Sequence, residues 1–162
     1  MLRVRHRQRL RRKEASTLIE QLKVALDVEI AGPEEPVETA DADGWSIVMI
    51  KGKALGFVID GRPFLTVRGL LALKPGRRFV TVDMGAVKFV CNGADVMAPG
   101  VVDADRAIKA GDFVWIRDER NKQPLAVGEA MMSGEEMILA ESGKAAKSIH
   151  YVGDKLWNLE AE

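Results

Sequence analysis

Turn-forming residues cut this chain into apolar runs of strand length, and that punctuation limits the fold more than any other feature of the sequence. WSIVMI (45–50) and ALGFVI (54–59) flank Lys51-Gly52-Lys53, which predicts a hairpin, and Asp60-Gly61 marks the next turn. Residues 64–73 then read as a short helix or helical turn leading to Lys74-Pro75-Gly76. RRFVTVD, ADVMA, DFVWIRD, PLAVGEAMM, EMILAES and KSIHYV follow as predicted strands, spaced at roughly ten residues, which is the rhythm of a small mixed barrel. GDKLWNL follows as a helical turn or a final strand.

The N-terminal part carries a different period. From about Arg5 to Leu26, Leu10, Ala15, Leu18, Leu22, Ala25 and Leu26 recur at helical spacing without Gly or Pro, which predicts one amphipathic helix with a frayed basic start. At 162 residues, 47% of them hydrophobic, the chain holds one ordinary domain or two small ones. The break at Lys74-Pro75-Gly76 predicts two units, 1–74 and 75–162.

Charge is balanced overall, at 24 basic and 24 acidic residues, but not locally. Residues 1–13 carry six arginines, Lys13 and His6 with no acid, whereas residues 27–43 carry seven acids and no base and read as a linker. Either the two segments pair with each other, or the arginines meet phosphates through bidentate guanidinium bonds. No apolar run reaches the length of a membrane helix, so a cytoplasmic protein is expected. Cys91 is alone, which excludes an internal disulfide and predicts a buried thiol.

Catalytic sets are missing. The histidines are His6, in the basic arm, and His150, in a predicted strand, with no G-x-S-x-G, P-loop or G-x-G-x-x-G motif. Asp103 and Asp105 read as turn and cap residues rather than metal ligands. No enzyme, cofactor or metal is expected.

DMGAVKFVCNGADVMAPGVV (83–102) places Gly85-Ala86, Gly93-Ala94 and Pro99-Gly100 within a single apolar stretch. Residues 84–92 predict a short helix with Asp83 as N-cap and Gly93 as its stop. Small residues in its first turn leave N–H groups open to an anion, or they permit close packing on a strand; the pattern alone leaves both open. The stretch, with VTV before it and GDFVWIRD, PLAVGEAMM and GKAAKSIHYVGDKLWNL after it, resembles a PUA domain, the RNA-binding module named after pseudouridine synthases and archaeosine transglycosylases. The likeness covers about residues 77–159. IHYVGDKLWN and VDMGAVKFV are similar to the malignant-T-cell-amplified-sequence family of translation-associated proteins, especially its archaeal counterparts. In that family a short N-terminal domain precedes the PUA domain, and RHRQRLRRKE and GRPFLTVRGLL fit it.

The resemblance implies an α+β protein, a small N-terminal α/β domain followed by a PUA-type mixed β pseudo-barrel. It implies an RNA surface at Gly85, Ala86, Lys88, Gly93, Ala94, Val96, Met97, Pro99 and Gly100. Lys88 lies one helical turn from Gly85, within reach of a phosphate held there, or is simply a surface lysine. Arg77, Arg78, Lys147 and His150 extend the expected footprint, and Tyr151, Leu156 and Trp157 are expected to close the barrel core. The implied partner is structured RNA, tRNA or rRNA, with a ribosomal subunit or translation-factor partner beside it and neither DNA nor membrane. The alternatives are an RNA-targeting subunit of an RNA-modification enzyme, or a protein-interaction module.

Overall fold

The basic arm is a strand where periodicity predicts the start of a helix. In the computed structural model, which describes residues 3–159, Arg5–Arg9 forms β1 and the helix, α1, covers only Arg12–Leu26. Every residue of β1 is exposed, so no apolar face favours a helix there. Instead β1 pairs antiparallel with Val37–Ala42 (β2), a strand formed by the acidic segment that was expected to be a linker. Arg7 donates to both carboxylate oxygens of Glu38 at 2.9 Å, and His6 meets Asp41 at 3.1 Å. For these residues the basic and acidic segments pair with each other. Exposed ion pairs contribute little to stability, so they set the register while the strand ladder holds the segment. Further along, α1 buries Leu18, Leu22 and Leu26 and stops at Asp27 in the left-handed region, φ 56°.

Trp45–Ile50 (β3) and Lys53–Ile59 (β4) form the expected hairpin, with Lys51 and Gly52 at φ 51° and 77°, the sign a two-residue hairpin turn requires. Arg62–Leu65 (β5) returns beside β4, so Phe64 and Leu65 belong to a strand, and Val67–Leu73 (α2) starts only after Thr66. The Thr66 hydroxyl accepts from the Gly69 N–H and donates to the Ala54 carbonyl at 2.8 Å. The five strands lie in sequence order, β1-β2-β3-β4-β5.

One face of this sheet, through Ala40, Ala42, Ile47, Met49 and Ala54, packs with Leu156. The chain thus divides into residues 3–75 together with 155–159, and Gly76–Asp154. This moves Leu156 and Trp157 out of the barrel core where they were expected. Leu156 is 4% exposed within the first unit, and Arg68 there lies 3.9 Å from the Trp157 ring centroid and donates from Nε to the Trp157 carbonyl. Tyr151 packs on the second unit.

The second unit runs Phe79–Val82 (β6), Met84–Val90 (α3), Val96–Met97 (β7), Val101–Ala104 (β8), Phe113–Asp118 (β9), Pro124–Ala130 (β10), Gly134–Leu139 (α4) and Lys144–Tyr151 (β11). EMILAES was expected to be a strand. It is mainly helix α4, because Ser133 and Glu136 form a capping box and Met137 drops fully into the core. The sheet order is β7-β11-β10-β9-β6-β8, with β6 and β9 parallel. Its two edge strands, β7 and β8, are consecutive in the chain and joined by the 3-10 turn Ala98–Gly100. One continuous stretch therefore supplies both edges, and the sheet curls into a nearly closed barrel around Val80, Val82, Ile108, Val114, Ile116 and Met137. The protein is α+β, with a small N-terminal sheet-and-helix unit and a mixed β pseudo-barrel.

Candidate nucleic-acid interface

The glycine-rich stretch 83–102 closes on itself. Asp83 accepts the Ala86 N–H at its carboxylate, 2.9 Å, capping α3, while its own N–H donates to the Gly100 carbonyl at 2.9 Å. A Cβ on Gly100 would stand 3.4 Å from that of Ala86, at ordinary contact distance, so the 3-10 turn lies against the start of the helix. Glu119 also accepts the Met84 N–H at 3.4 Å. Two carboxylates thus sit at the helix start, which disfavours an anion there and supports packing as the reason for the small residues.

Gly93 ends α3 at φ 88°, and the Tyr151 ring lies against it: an added Cβ would fall 2.8 Å from a ring carbon. From Gly93 the chain enters β7, where Val96 and Met97 pair with Ala146 and Lys144 of β11. Asp95 ties the two further, accepting the Ser148 N–H and pairing with Lys144 at 2.8 Å. The Lys144 ammonium beside it, with the Ser148 amide, holds the Asp95 carboxyl below its usual range. Sequence reasoning missed Asp95, whose role shows only once β7 and β11 are paired. The helix leads through the Gly93 turn into β7, which pairs with the start of β11.

In these elements Gly85, Lys88, Ala94, Met97, Pro99 and Lys147 are exposed; Ala86, Gly93 and Gly100 are half-buried. Among the described residues neither Lys88 nor Lys147 forms an ion pair, and Lys147 stands opposite Glu129 in the ladder. Phe89, not singled out by the sequence, is 59% exposed, with the Lys88 ammonium 6.0 Å from its ring centroid; Met97 is 49% exposed. Two expected contacts are corrected. Val96 is 4% exposed and belongs to the core, its side chain turned inward by the alternation of β7. His150 is 1% exposed, its Nδ1 held by the Asp154 carboxylate at 2.9 Å, so it is a satisfied core histidine.

The arginines entering the unit divide similarly. Arg77 is exposed, and its carbonyl accepts from the Trp115 indole N–H. Arg78 is structural: its N–H donates to Asp105 at 2.7 Å and its guanidinium lies 3.4 Å from Asp112. Asp105 also takes the Ala107 N–H, the cap role expected of it. Cys91 is part-buried rather than fully buried, and burial pushes its thiol pKa up.

A strand-edged barrel with a capped short helix, a glycine turn and a return strand on one face defines the class, and residues 78–152 match the model of the PUA domain. The chain belongs to the family of PUA-domain proteins: a conserved PUA domain protein of Thermoplasma acidophilum is 34% identical to it, with 97% of that chain covered. Over 159 residues it is 42% identical to an uncharacterized protein of Methanocaldococcus jannaschii, covering 97% of this chain and 98% of that one. It is 39% identical to Translation machinery-associated protein 20 of Saccharomyces cerevisiae over 51% of this chain and 49% of the yeast protein. With Malignant T-cell-amplified sequence 1 of Rattus norvegicus it shares 31% over 70% of this chain and 65% of the rat protein. The chain therefore spans about half of the yeast relative and under two thirds of the rat one. A solved structure of a hypothetical protein from Pyrococcus horikoshii superposes with a TM-score of 0.85 at 35% identity, covering 96% of this chain and 99% of that one.

Proposed function

We propose that this protein binds structured RNA, tRNA or rRNA, within the translation apparatus, through the face made by α3, the Gly93 turn, β7 and the start of β11. The observation that carries the reading is the coincidence of the PUA match with two exposed lysines, Lys88 and Lys147, and the exposed Phe89 and Met97. Ala94 and Pro99 keep the surface between them low, so a sugar-phosphate backbone approaches main chain away from the carboxylates at the helix start, while lysines meet phosphates and Phe89 offers a plane for a base. The name of the yeast relative, Translation machinery-associated protein 20, supports the link to translation; a cytoplasmic setting and a ribosomal or translation-factor partner are part of this proposal. We assign the protein a binding role without chemistry of its own, in keeping with the PUA match, an RNA-binding module. From residue 74 to 160 twelve basic residues meet thirteen acidic ones, so binding is moderate and falls with salt.

Replacing Lys88 and Lys147 together by glutamate is expected to weaken binding to a tRNA at least tenfold in a filter or anisotropy assay, with the circular dichroism spectrum unchanged. Unaltered affinity would remove this face from consideration. Crosslinking in cells separates the other roles: tRNA ends or one ribosomal site support the translation reading, whereas co-purification with a modification enzyme supports a targeting subunit. The exposed apolar side chains Phe89, Met97 and Val102 favour a protein-interaction module if no RNA is crosslinked.

A further inference from the structure

The first unit carries a charged recess that the PUA face does not use. About 530 Å³ in volume, it is lined by Arg3, Arg5, His6, Asp41, Asp43 and Lys155, with the Gly44 turn at its edge. Its charges are not self-satisfied. His6 and Asp41 pair with each other, but among the described residues no carboxylate lies within ion-pair distance of Arg3, Arg5 or Lys155. Three free cations thus face Asp43 and the His6–Asp41 pair, an excess of one positive charge with His6 neutral and two with it protonated.

The recess is built by an irregularity in β1. Arg5 pairs with Asp41, Gln8 with Thr39 and Arg9 with Glu38, so three steps along β1 match two along β2, and His6 takes up the difference at φ 52°. Directly opposed residues share a face, and Asp41 and Glu38 of β2 point to opposite faces. A regular strand would put Arg5 on the Glu38 side with Arg7 and Arg9, where Arg7 already occupies that carboxylate. The bulge turns Arg5 to the other face and leaves it without a partner, beside Arg3 and Lys155. Cationic groups that line one open recess repel one another, an arrangement that an anion relieves. The planar forks of two arginines and the point charge of a lysine are the donors that phosphate oxygens accept.

We infer that this recess binds phosphate groups of RNA, giving the protein a second electrostatic foothold outside its PUA unit. The inference rests on the RNA-binding reading above and extends it to the first unit. It is tested with the full chain carrying Arg3→Gln, Arg5→Gln and Lys155→Gln, against a control carrying Lys13→Gln, Lys53→Gln and Lys109→Gln, three exposed cations elsewhere. Affinity for a tRNA is measured by anisotropy across a salt series. Each lost phosphate contact lowers the steepness of log K against log salt by about 0.7–0.9. The recess variant is therefore expected to lose about 2 from that slope and at least tenfold in affinity at low salt, with the control close to the unaltered protein. An unchanged slope in the recess variant, while the unaltered protein binds, overturns the inference and leaves the PUA face standing; an equal loss in the control also overturns it, since charge anywhere would then suffice. If the unaltered protein binds no RNA at any salt, the RNA-binding reading itself fails. Tripolyphosphate, titrated by NMR, separates the sources: competition with RNA at the recess supports the inference, and tripolyphosphate shifts without RNA competition overturn it in favour of a small free anion.

Discussion

Gly93 shows what a single residue decides at the interface. Its φ of 88° lies in the region side chains avoid, and the Tyr151 ring occupies the place of its missing Cβ. Gly93→Ala is expected to lower stability by about 1–3 kcal/mol in denaturant unfolding, from backbone strain together with displacement of the ring. An unmoved midpoint would mean that the turn relaxes freely. The helix stop at Gly93 and the cap at Asp83 were legible in the sequence because both are local: a short polar oxygen before a helix and a glycine after it act within a few residues. Lys88, on the same helix, was legible as a surface charge. Val96 and His150 were not. Their inward direction depends on which strand face meets the barrel and on Asp154 lying beside the imidazole, and neither is a property of a short window.

Among the elements, α2 depends on Thr66, which is 2% exposed and bonded on both sides, to the Gly69 N–H and the Ala54 carbonyl. Thr66→Val keeps the shape and removes the hydroxyl, leaving both backbone groups unsatisfied. A loss of about 1–3 kcal/mol is expected, readable as earlier exchange of the α2 amides; a neutral effect would show that water reaches both groups. The hairpin of β3 and β4 was legible from apolar runs around Lys51-Gly52. The strand β1 was not, since its residues are all polar and Leu10 extends the leucine period of α1 upstream; what makes it a strand is an acidic partner some thirty residues away. In α4 the signal was present and outweighed: Ser133 and Glu136 spell a capping box, but Met137, Ile138 and Leu139 also suit a strand.

At the scale of the molecule, the boundary near residue 75 was visible as Lys74-Pro75-Gly76, whereas the return of residues 155–159 to the first unit was not. HYVGDKLWN runs on from the last barrel strand with no break in composition, and the allegiance of Leu156 is set by the apolar face of a distant sheet. Leu156→Ala is expected to cost about 2–5 kcal/mol, as burial of this kind implies. Hydrogen exchange should report the loss in β2 and β3 while β9 and β10 keep their protection; equal loss in both units would contradict the division. The arrangement also orders events during synthesis. Gly76–Asp154 is one unbroken segment and has everything it needs to fold as soon as it leaves the ribosome, but the unit begun earlier lacks part of its core until Leu156 has been made. The domain started first is therefore completed last, like an outer bracket closed around an inner one, and a chain cut short at residue 154 and released would hold a finished barrel attached to an unfinished sheet.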